Sequence, residues 1–187
     1  MQEEVKRTAG FLSRGKTILY PTDTIWGIGC DATSSKAVQR VFKIKRRIEK
    51  KSMIILVDSF DKIEQYVTHV PEIACDLIES IDTPLTIIYP KARNLAKSLV
   101  AADNTIAIRV VKDEFCQQVI RTFGKPIVST SANISGEPNP VVYSDISNII
   151  KNEVDYIVPL YRNRVKLFKP SKIIKLEQGG EFNVIRQ

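Results

Sequence analysis

The spacing of apolar residues along the chain predicts a series of helices. Val5, Ala9 and Leu12 recur at helical spacing within residues 2–13 and would form one buried face. A second helix is predicted from about Ser35 to Arg47, with its apolar residues turned inward. Shorter stretches with the same spacing predict helices around residues 63–67, 73–78, 115–123 and 146–150.

Short apolar runs alternate with these helices and predict strands. Residues 53–57 are continuously apolar, which is typical of a strand covered on both faces. Further strands are predicted at residues 17–20, 85–88, 105–109, 127–129 and 156–158. Residues 173–176 and 182–186 flank a Gly-Gly pair, which indicates a terminal hairpin. The alternation predicts an α/β fold, a twisted mixed sheet flanked by helices, in a single domain over residues 1–187.

Composition excludes several kinds of site. A chain with the single histidine His69 is a poor candidate for a histidine-dependent triad or a multi-histidine metal centre. Cys30, Cys75 and Cys116 are widely spaced and odd in number, so we expect reduced, structural thiols and no metal site. No apolar run approaches the ~18 residues of a membrane span, and the first residues are polar. We therefore expect a cytoplasmic protein that does not contact membranes.

Positive charge changes this picture by favouring anionic partners. The net charge is +7, and basic residues are concentrated between Lys43 and Lys51 and again between Arg162 and Lys175. Solvated surface explains such runs as well as a binding site does. Lys45 and Arg47 lie about 200° apart on an ideal helix, so they point together only where the helix unwinds. A helix end of that kind would suit a phosphate group.

Two clusters of small polar side chains follow predicted strands. Residues 129–133, Ser-Thr-Ser-Ala-Asn, come directly after an apolar run, and residues 21–24, Pro-Thr-Asp-Thr, follow the strand at residues 17–20. Ligands of open α/β sheets bind beyond the ends of strands. The two clusters therefore predict one shared binding site.

A nucleotide-binding motif near the N-terminus is set aside because of its context. Residues 10–17, GFLSRGKT, match the P-loop pattern G-x-x-x-x-G-K-[ST]. A P-loop leaves a strand and opens a helix, so that backbone N–H groups meet the phosphates. Here the helical pattern precedes the motif and the strand follows it, which is the reverse order. We therefore expect no phosphate site at Lys16.

Five short motifs taken together resemble a known family. In chain order they are PTDTIWGI at 21–28, Lys45-x-Arg47, PLT at 84–86, IAIR at 106–109 and STSANISG at 129–136. The chain is similar over roughly residues 10–186 to the YrdC-like family, the threonylcarbamoyl-AMP synthases. The resemblance implies a twisted α/β sheet with a basic concave surface. It also implies a nucleotidyltransferase that joins L-threonine, bicarbonate and ATP into threonylcarbamoyl-AMP and releases pyrophosphate, for threonylcarbamoyl-adenosine modification of tRNA.

The resemblance also implies roles for individual residues. Lys45 and Arg47 would act in catalysis by contacting ATP phosphates, with Mg²⁺ arriving with the ATP. Arg109 would hold the threonine carboxylate. The remaining threonine contacts would be Thr22, Thr24, Ser129 and Ser171, and the remaining nucleotide contacts Ser131, Asn133 and Arg186. The partners implied downstream are tRNA or the enzymes that modify it.

The chain departs from the family pattern at several positions. Ile48 and Ser52 replace prolines, Trp26 replaces a tyrosine, and Lys172 stands where threonine is common. These departures leave a second hypothesis open: a non-catalytic paralogue of the same fold whose basic concavity binds double-stranded RNA or tRNA through phosphates. Because RNA binding alone would not require the neutral hydroxyls of this set, the enzyme is the leading hypothesis.

Overall fold

The computed structural model describes residues 1–47, 53–163, 171–177 and 181–186. The helices are α1 (Gln2–Ser13), α2 (Ser35–Ile44), α3 (Ile73–Ser80), α4 (Glu114–Phe123) and α5 (Asn148–Glu153). The strands are β1 (Ile18–Tyr20), β2 (Gly27–Gly29), β3 (Ile54–Val57), β4 (Leu85–Tyr89), β5 (Ile106–Val110), β6 (Ile127–Ser131), β7 (Tyr156–Ile157), β8 (Lys172–Leu176) and β9 (Phe182–Arg186). Phe60–Gln65, Lys97–Leu99 and Tyr143–Asp145 form 3₁₀ turns.

The described strands form one mixed sheet in the order β7-β1-β2-β6-β3-β5-β4-β8-β9. The pairs β1/β7, β3/β5 and β4/β8 are parallel, and the other neighbours are antiparallel. β6 lies near the middle, where it pairs with both β2 and β3. The predicted α/β fold with a mixed sheet is therefore confirmed.

Two apolar clusters cover the sheet. One includes Val5 and Leu12 of α1 together with Phe115 and Val119 of α4, and these two helices pack against each other. The larger cluster includes residues of α2, α3 and α5 with the inward side chains of most strands. Burial on both faces explains the continuous apolar run of β3, which the sequence pattern predicted.

Strand β2 is absent from the sequence-based prediction. Its three residues are Gly27, Ile28 and Gly29, and glycine disfavours strands because it has no side chain to pack. The tertiary structure requires glycine here. A Cβ atom on Gly29 would lie 2.7 Å from Cε1 of Tyr20 and 2.8 Å from the carbonyl oxygen of Val128. The strand forms because β1 and β6 pair with it on both sides.

Helix α2 ends earlier than the apolar pattern predicts. Its last residue is Ile44, Lys45 is the C-cap, and Arg46 adopts a left-handed conformation with φ of 50°. The N–H groups of Arg46 and Arg47 donate to the carbonyls of Lys43 and Phe42, which is a Schellman ending. The helix therefore unwinds between Lys45 and Arg47, as their joint function would need.

The remaining differences are small. The predicted helix around residues 63–67 is the 3₁₀ turn Phe60–Gln65, and the other predicted helices and strands are confirmed with shifts of at most three residues at their ends. All three cysteines are free thiols. The predicted turn at residues 179–180 and the basic residues at 50–51 and 164–169 lie outside the described residues. Within the described part of the chain, no helix is long and apolar enough to cross a membrane.

The P-loop match has the context that the sequence pattern indicated. Helix α1 precedes Gly15, and the chain enters β1 two residues after Lys16. The Lys16 ammonium lies 3.4 Å from the Asp155 carboxylate at the protein surface. No helix N-terminus follows the motif, so it cannot bind phosphate as a P-loop does.

Candidate active site

A cleft of about 280 Å³ crosses the middle of the sheet. Its walls include residues of β2, β3, β5, β6, β8 and β9. Of the predicted site residues, the ones that line it are Thr24, Arg47, Arg109, Ser129, Ser131, Ser171 and Arg186. Its described walls hold these three arginines and no carboxylate. The cleft is therefore suited to an anionic ligand.

Three predicted residues do not line the cleft. Thr22, Lys45 and Asn133 lie behind residues that do, and each is hydrogen-bonded to one of them. The two polar clusters do contribute to one cleft, because Thr24 comes from the first and Ser131 from the second, and whether the cleft binds a ligand stays a prediction. Sequence reasoning grouped these residues correctly without distinguishing the wall from its support.

Arg109 and Thr24 form one end of the cleft. Arg109 is 2% exposed, and its Nη1 donates to Thr24 Oγ1 at 3.3 Å. Thr22 Oγ1 donates to the Ile25 carbonyl at 2.8 Å and lies 2.9 Å from Thr24 Oγ1. Because the Thr22 proton is used in that bond, Thr24 must donate to Thr22. Thr22 therefore orients the Thr24 hydroxyl in the cleft.

Asp23 holds the guanidinium of Arg109 from one side. Its Oδ1 lies 3.1 Å from Arg109 Nη2, and both side chains are nearly buried. The Nε of Arg109 is buried and has no hydrogen-bond partner among the described residues. A buried donor without a partner costs about 1–3 kcal/mol. Arg109 also lines the cleft, so the part of its guanidinium that reaches the cleft can pair with a ligand carboxylate.

Lys45 lies buried behind the opposite wall. It is 1% exposed, and its ammonium donates to the Ser131 carbonyl at 2.5 Å, the Asn133 carbonyl at 2.7 Å and Asn133 Oδ1 at 3.2 Å. The backbone N–H of Ser135 donates in turn to the Lys45 carbonyl. Lys45 thus fastens the end of α2 to the loop that follows β6.

Asn133 is the centre of that loop. Its Oδ1 accepts from Ser131 Oγ at 2.5 Å as well as from Lys45, and its Nδ2 donates to the Glu137 carbonyl at 2.6 Å. The side chain therefore has partners at both ends of its amide. Its contacts fix the rotamer of Ser131, which lines the cleft.

Charge accumulates where Arg47, Arg109 and Arg186 approach the cleft. Burial lowers the pKa of Arg47, and burial together with Arg109 lowers the pKa of Arg186. Arg186 donates through Nε and Nη2 to the Ser171 carbonyl, at 3.0 and 2.8 Å, and Ser171 Oγ lies 2.8 Å from Thr86 Oγ1. Cations held near one another in partly buried positions are stabilised by an anion between them.

Several lining residues were not predicted as site residues. Trp26, Thr130 and Asn139 face the cleft, and Trp26 packs at 5.0 Å against the ring of Tyr143. Trp26 and Thr130 lie within the motifs PTDTIWGI and STSANISG, so their position in the sequence could have indicated that they belong to the site. Asn139 lies between two prolines in a loop, and nothing in its sequence context indicates a site.

Titration of Lys45 gives the first prediction. Burial, and then the charge of Arg47, lowers the pKa of Lys45 from 10.5 to about 7. Between these pH values the unfolded chain binds more protons than the folded chain, so the Lys45 contribution to the unfolding free energy rises with pH. We expect the difference between the native protein and Lys45→Met to rise by up to about 1.4 kcal/mol per pH unit. Urea unfolding of both proteins between about pH 7.5 and 9.5 measures this difference.

Subtraction of the Lys45→Met values removes the effect of other groups. Burial raises the pKa values of Tyr20, Tyr89 and Cys30, and these groups lower stability at high pH in both proteins. A difference that stays constant across the range would show that Lys45 titrates at its ordinary value.

The chain is similar to known proteins along most of its length. The family model of Sua5, YciO and YrdC proteins, described as telomere recombination, matches residues 10–187. The chain belongs to this family. A threonylcarbamoyl-AMP synthase of Pseudoalteromonas translucida is 33% identical over 91% of this chain and 92% of its own. The one from Hahella chejuensis is 32% identical over 98% of this chain and 97% of its own.

Solved structures of the Sua5/YciO/YrdC family match the fold. A crystal structure of Pyrococcus abyssi Sua5 complexed with L-threonine is 28% identical, with a TM-score of 0.86 over 94% of this chain. This chain spans about half of that protein, 52% of its length. Escherichia coli YciO, at 22% identity and a TM-score of 0.85, matches the fold over the whole chain.

Proposed function

We propose that this protein is a threonylcarbamoyl-AMP synthase, which forms threonylcarbamoyl-AMP and pyrophosphate from L-threonine, bicarbonate and ATP. The observation that carries the proposal is the cleft itself, where three arginines and a set of hydroxyls converge with no carboxylate among the described lining residues. The threonine carboxylate, the ATP phosphates and bicarbonate are all negatively charged. Family membership and the relatives that bear this name support the assignment.

Threonine would bind at the Arg109 end of the cleft. The guanidinium of Arg109, which lines the cleft, would pair with the carboxylate of the amino acid. Thr24 and Ser129 would hydrogen-bond its polar groups, and Ser171 would close the pocket from β8. Thr22 would act through Thr24, because the hydroxyl of Thr22 already has its partners.

The nucleotide would bind along the Arg47 wall. Arg47 lines the cleft and would contact the phosphates, while Ser131 would meet the nucleotide from β6 and Arg186 from β9. Asn133 would support Ser131. Lys45 is held by three oxygen atoms, so a phosphate would contact its ammonium by displacing one of them. The donor set suits MgATP as the substrate, with phosphate oxygens as the main ligands of the metal, which would neutralise charge on the phosphates.

The reaction would need positioning more than acid–base groups. The amine of threonine attacks the carbon atom of bicarbonate, and a carbamate and water are formed. A carbamate oxygen then attacks the α-phosphorus of ATP, the bond to the β-phosphate oxygen breaks, and pyrophosphate leaves. Arg47 and Arg186 would stabilise the negative charge of the transition state in the half-buried cleft. The product would serve modification of tRNA, by enzymes that accept the adenylate.

One experiment tests the proposal directly. The protein is incubated with ATP, Mg²⁺, bicarbonate and isotopically labelled threonine, and the labelled adenylate and pyrophosphate are measured. We expect both products only when threonine and bicarbonate are present together. Release of inorganic phosphate instead, or tRNA binding without any adenylate, would contradict the synthase and favour the RNA-binding paralogue.

The rejected P-loop motif gives a further prediction. Lys16 is half exposed and pairs with Asp155 on the surface. Because an exposed ion pair contributes about 0–1 kcal/mol, we expect Lys16→Ala to fold normally and to keep its KM for ATP within about twofold. Steady-state kinetics with ATP as the varied substrate measures this. A large rise in the KM of a folded variant would revive the P-loop interpretation.

A further inference from the structure

A second, smaller cavity lies at the other end of strands β3 and β6. It has a volume of about 120 Å³. Ile54 and Ser129 mark the ends of these strands at the cleft, whereas Asp58 and Pro126 flank their opposite ends at the cavity. The cavity therefore does not share a wall with the cleft. Its lining residues are Asp58, Lys62, Gln65, Tyr66, Ile120, Arg121, Gly124, Lys125 and Pro126.

One side of the cavity carries a buried carboxylate without a full set of partners. Asp58 is 9% exposed, and its Oδ2 meets Arg121 Nε at the long distance of 3.4 Å, from a side chain that is 67% exposed. Among the described residues, none donates a hydrogen bond to Asp58 Oδ1 or to the Tyr66 hydroxyl. Asp58 Oδ1 and the Tyr66 hydroxyl can therefore accept a hydrogen bond from a group in the cavity.

The C-terminal end of helix α4 also favours a positively charged group near Asp58. The helix ends in the cavity wall at Gly124, which is left-handed with φ of 80° and donates to the Ile120 carbonyl. The following carbonyls of the last turn have no partner within the helix, and the helix dipole is negative here. Asp58 and this helix end together favour a cation such as an ammonium group.

Cations also line the cavity, and one of them, Lys62, has the exposed Asp61 carboxylate as a charged neighbour outside the cavity. The ammonium of Lys125 is 3.1 Å from Asp31, so this charge is neutralised. Lys62, which is half buried, has no acceptor among the described residues. The lining thus offers a donor, Lys62, and an acceptor, Asp58 Oδ1, that have no hydrogen-bond partner among the described residues, around a volume of about 120 Å³.

We propose that this cavity binds a small zwitterionic amino acid. Its ammonium lies between Asp58 Oδ1 and the Tyr66 hydroxyl, and its carboxylate lies at Lys62. A simple anion would leave Asp58 Oδ1 without a donor from the protein or the ligand, and a simple cation would leave Lys62 without a hydrogen-bond acceptor. The volume admits a side chain of only a few atoms. This inference rests on the cavity alone and is independent of the proposed synthase activity.

Titration with L-alanine, followed by the backbone amide resonances of the ¹⁵N-labelled protein, tests this proposal. We expect saturable shifts at Tyr66, Gly124 and Lys125 with a Kd on the order of 1 mM. Acetate and methylammonium each carry one of the two charges, and we expect them to bind at least about tenfold more weakly. Shifts confined to cleft amides such as Gly27 would contradict the proposal, as would equal binding of acetate or no saturable shift up to about 50 mM.

Matched variants locate the two charges. Asp58→Asn and Lys62→Met should each weaken alanine binding at least about tenfold, since each removes one charge-assisted contact. Asp61→Asn is the control, because Asp61 is an exposed carboxylate beside Lys62 that does not line the cavity. The same spectra report whether each variant is folded. Equal loss in the control, or no loss in Asp58→Asn and Lys62→Met, would overturn the assignment.

Discussion

Lys45→Met and Arg47→Met should each lower the rate of adenylate synthesis at least about a hundredfold, whereas Arg46→Gly should leave it within about twofold. These neighbours differ in what they contact. Lys45 is buried with three oxygen acceptors, and Arg47 lines the cleft. Arg46 is exposed outside the cleft. Position within the chain, rather than total charge, then decides activity.

Arg46→Gly serves as the control because this variant should fold like the native protein. Arg46 has φ of 50°, which glycine adopts without strain, so Arg46→Gly keeps the helix ending. Adenylate formation is measured for all three variants, with tRNA binding at several salt concentrations alongside. Equal loss of RNA affinity in the three variants, together with no adenylate from the native protein, would support the RNA-binding alternative, since each phosphate contact contributes similarly.

The two strongly affected variants should differ from each other. Lys45 acts on the loop that carries Ser131 and Asn133, so Lys45→Met in an Asn133→Ala background should add little further loss. Arg47 lines the cleft itself and would contact the ligand directly, so Arg47→Met and Asn133→Ala should combine additively. A double-mutant cycle on kcat/KM for ATP measures both couplings.

Arg109→Lys should raise the KM for threonine about ten- to a hundredfold and leave the KM for ATP within about threefold. Lysine keeps the positive charge beside Asp23 but loses the planar fork, so it cannot contact Asp23, Thr24 and a ligand carboxylate together. Steady-state kinetics with each substrate varied in turn separates the two effects. An unchanged KM for threonine would remove Arg109 from the threonine pocket.

Asp23→Asn is the companion variant for Arg109. It removes the charge of the partner while keeping its shape, and thermal unfolding shows whether the buried pair still folds. If Arg109 binds the threonine carboxylate, Asp23→Asn should change the KM for threonine more than the KM for ATP. A lower thermal midpoint of unfolding without any change in either KM would instead show that the pair contributes to stability alone.

Local chemistry made much of this protein predictable from its sequence. The continuous apolar run of β3 and the helical spacing of α1 identify these elements because both must bury an apolar face. The P-loop interpretation could also be rejected from the local sequence, because a helical pattern precedes the motif and a strand follows it. Polar residues after β1 and β6 indicated one site, because those side chains lie at strand ends that the sheet brings together.

Tertiary structure alone decided which of these residues form the wall of the cleft and which support it. The pattern around Lys45 indicates an exposed basic helix end, but packing against the loop after β6 buries its ammonium. The sequence around strand β2 did not predict a strand, because β2 forms only by pairing with β1 and β6. The sequence around Asn139 did not indicate a site, because the path of its loop brings Asn139 to the cleft. The sequence alone determines the spacing of apolar residues, and so most of the helices and strands, and it determines which functional groups are available. Burial, hydrogen-bond direction and the lack of a partner for Arg109 Nε depend on contacts between residues far apart in the chain.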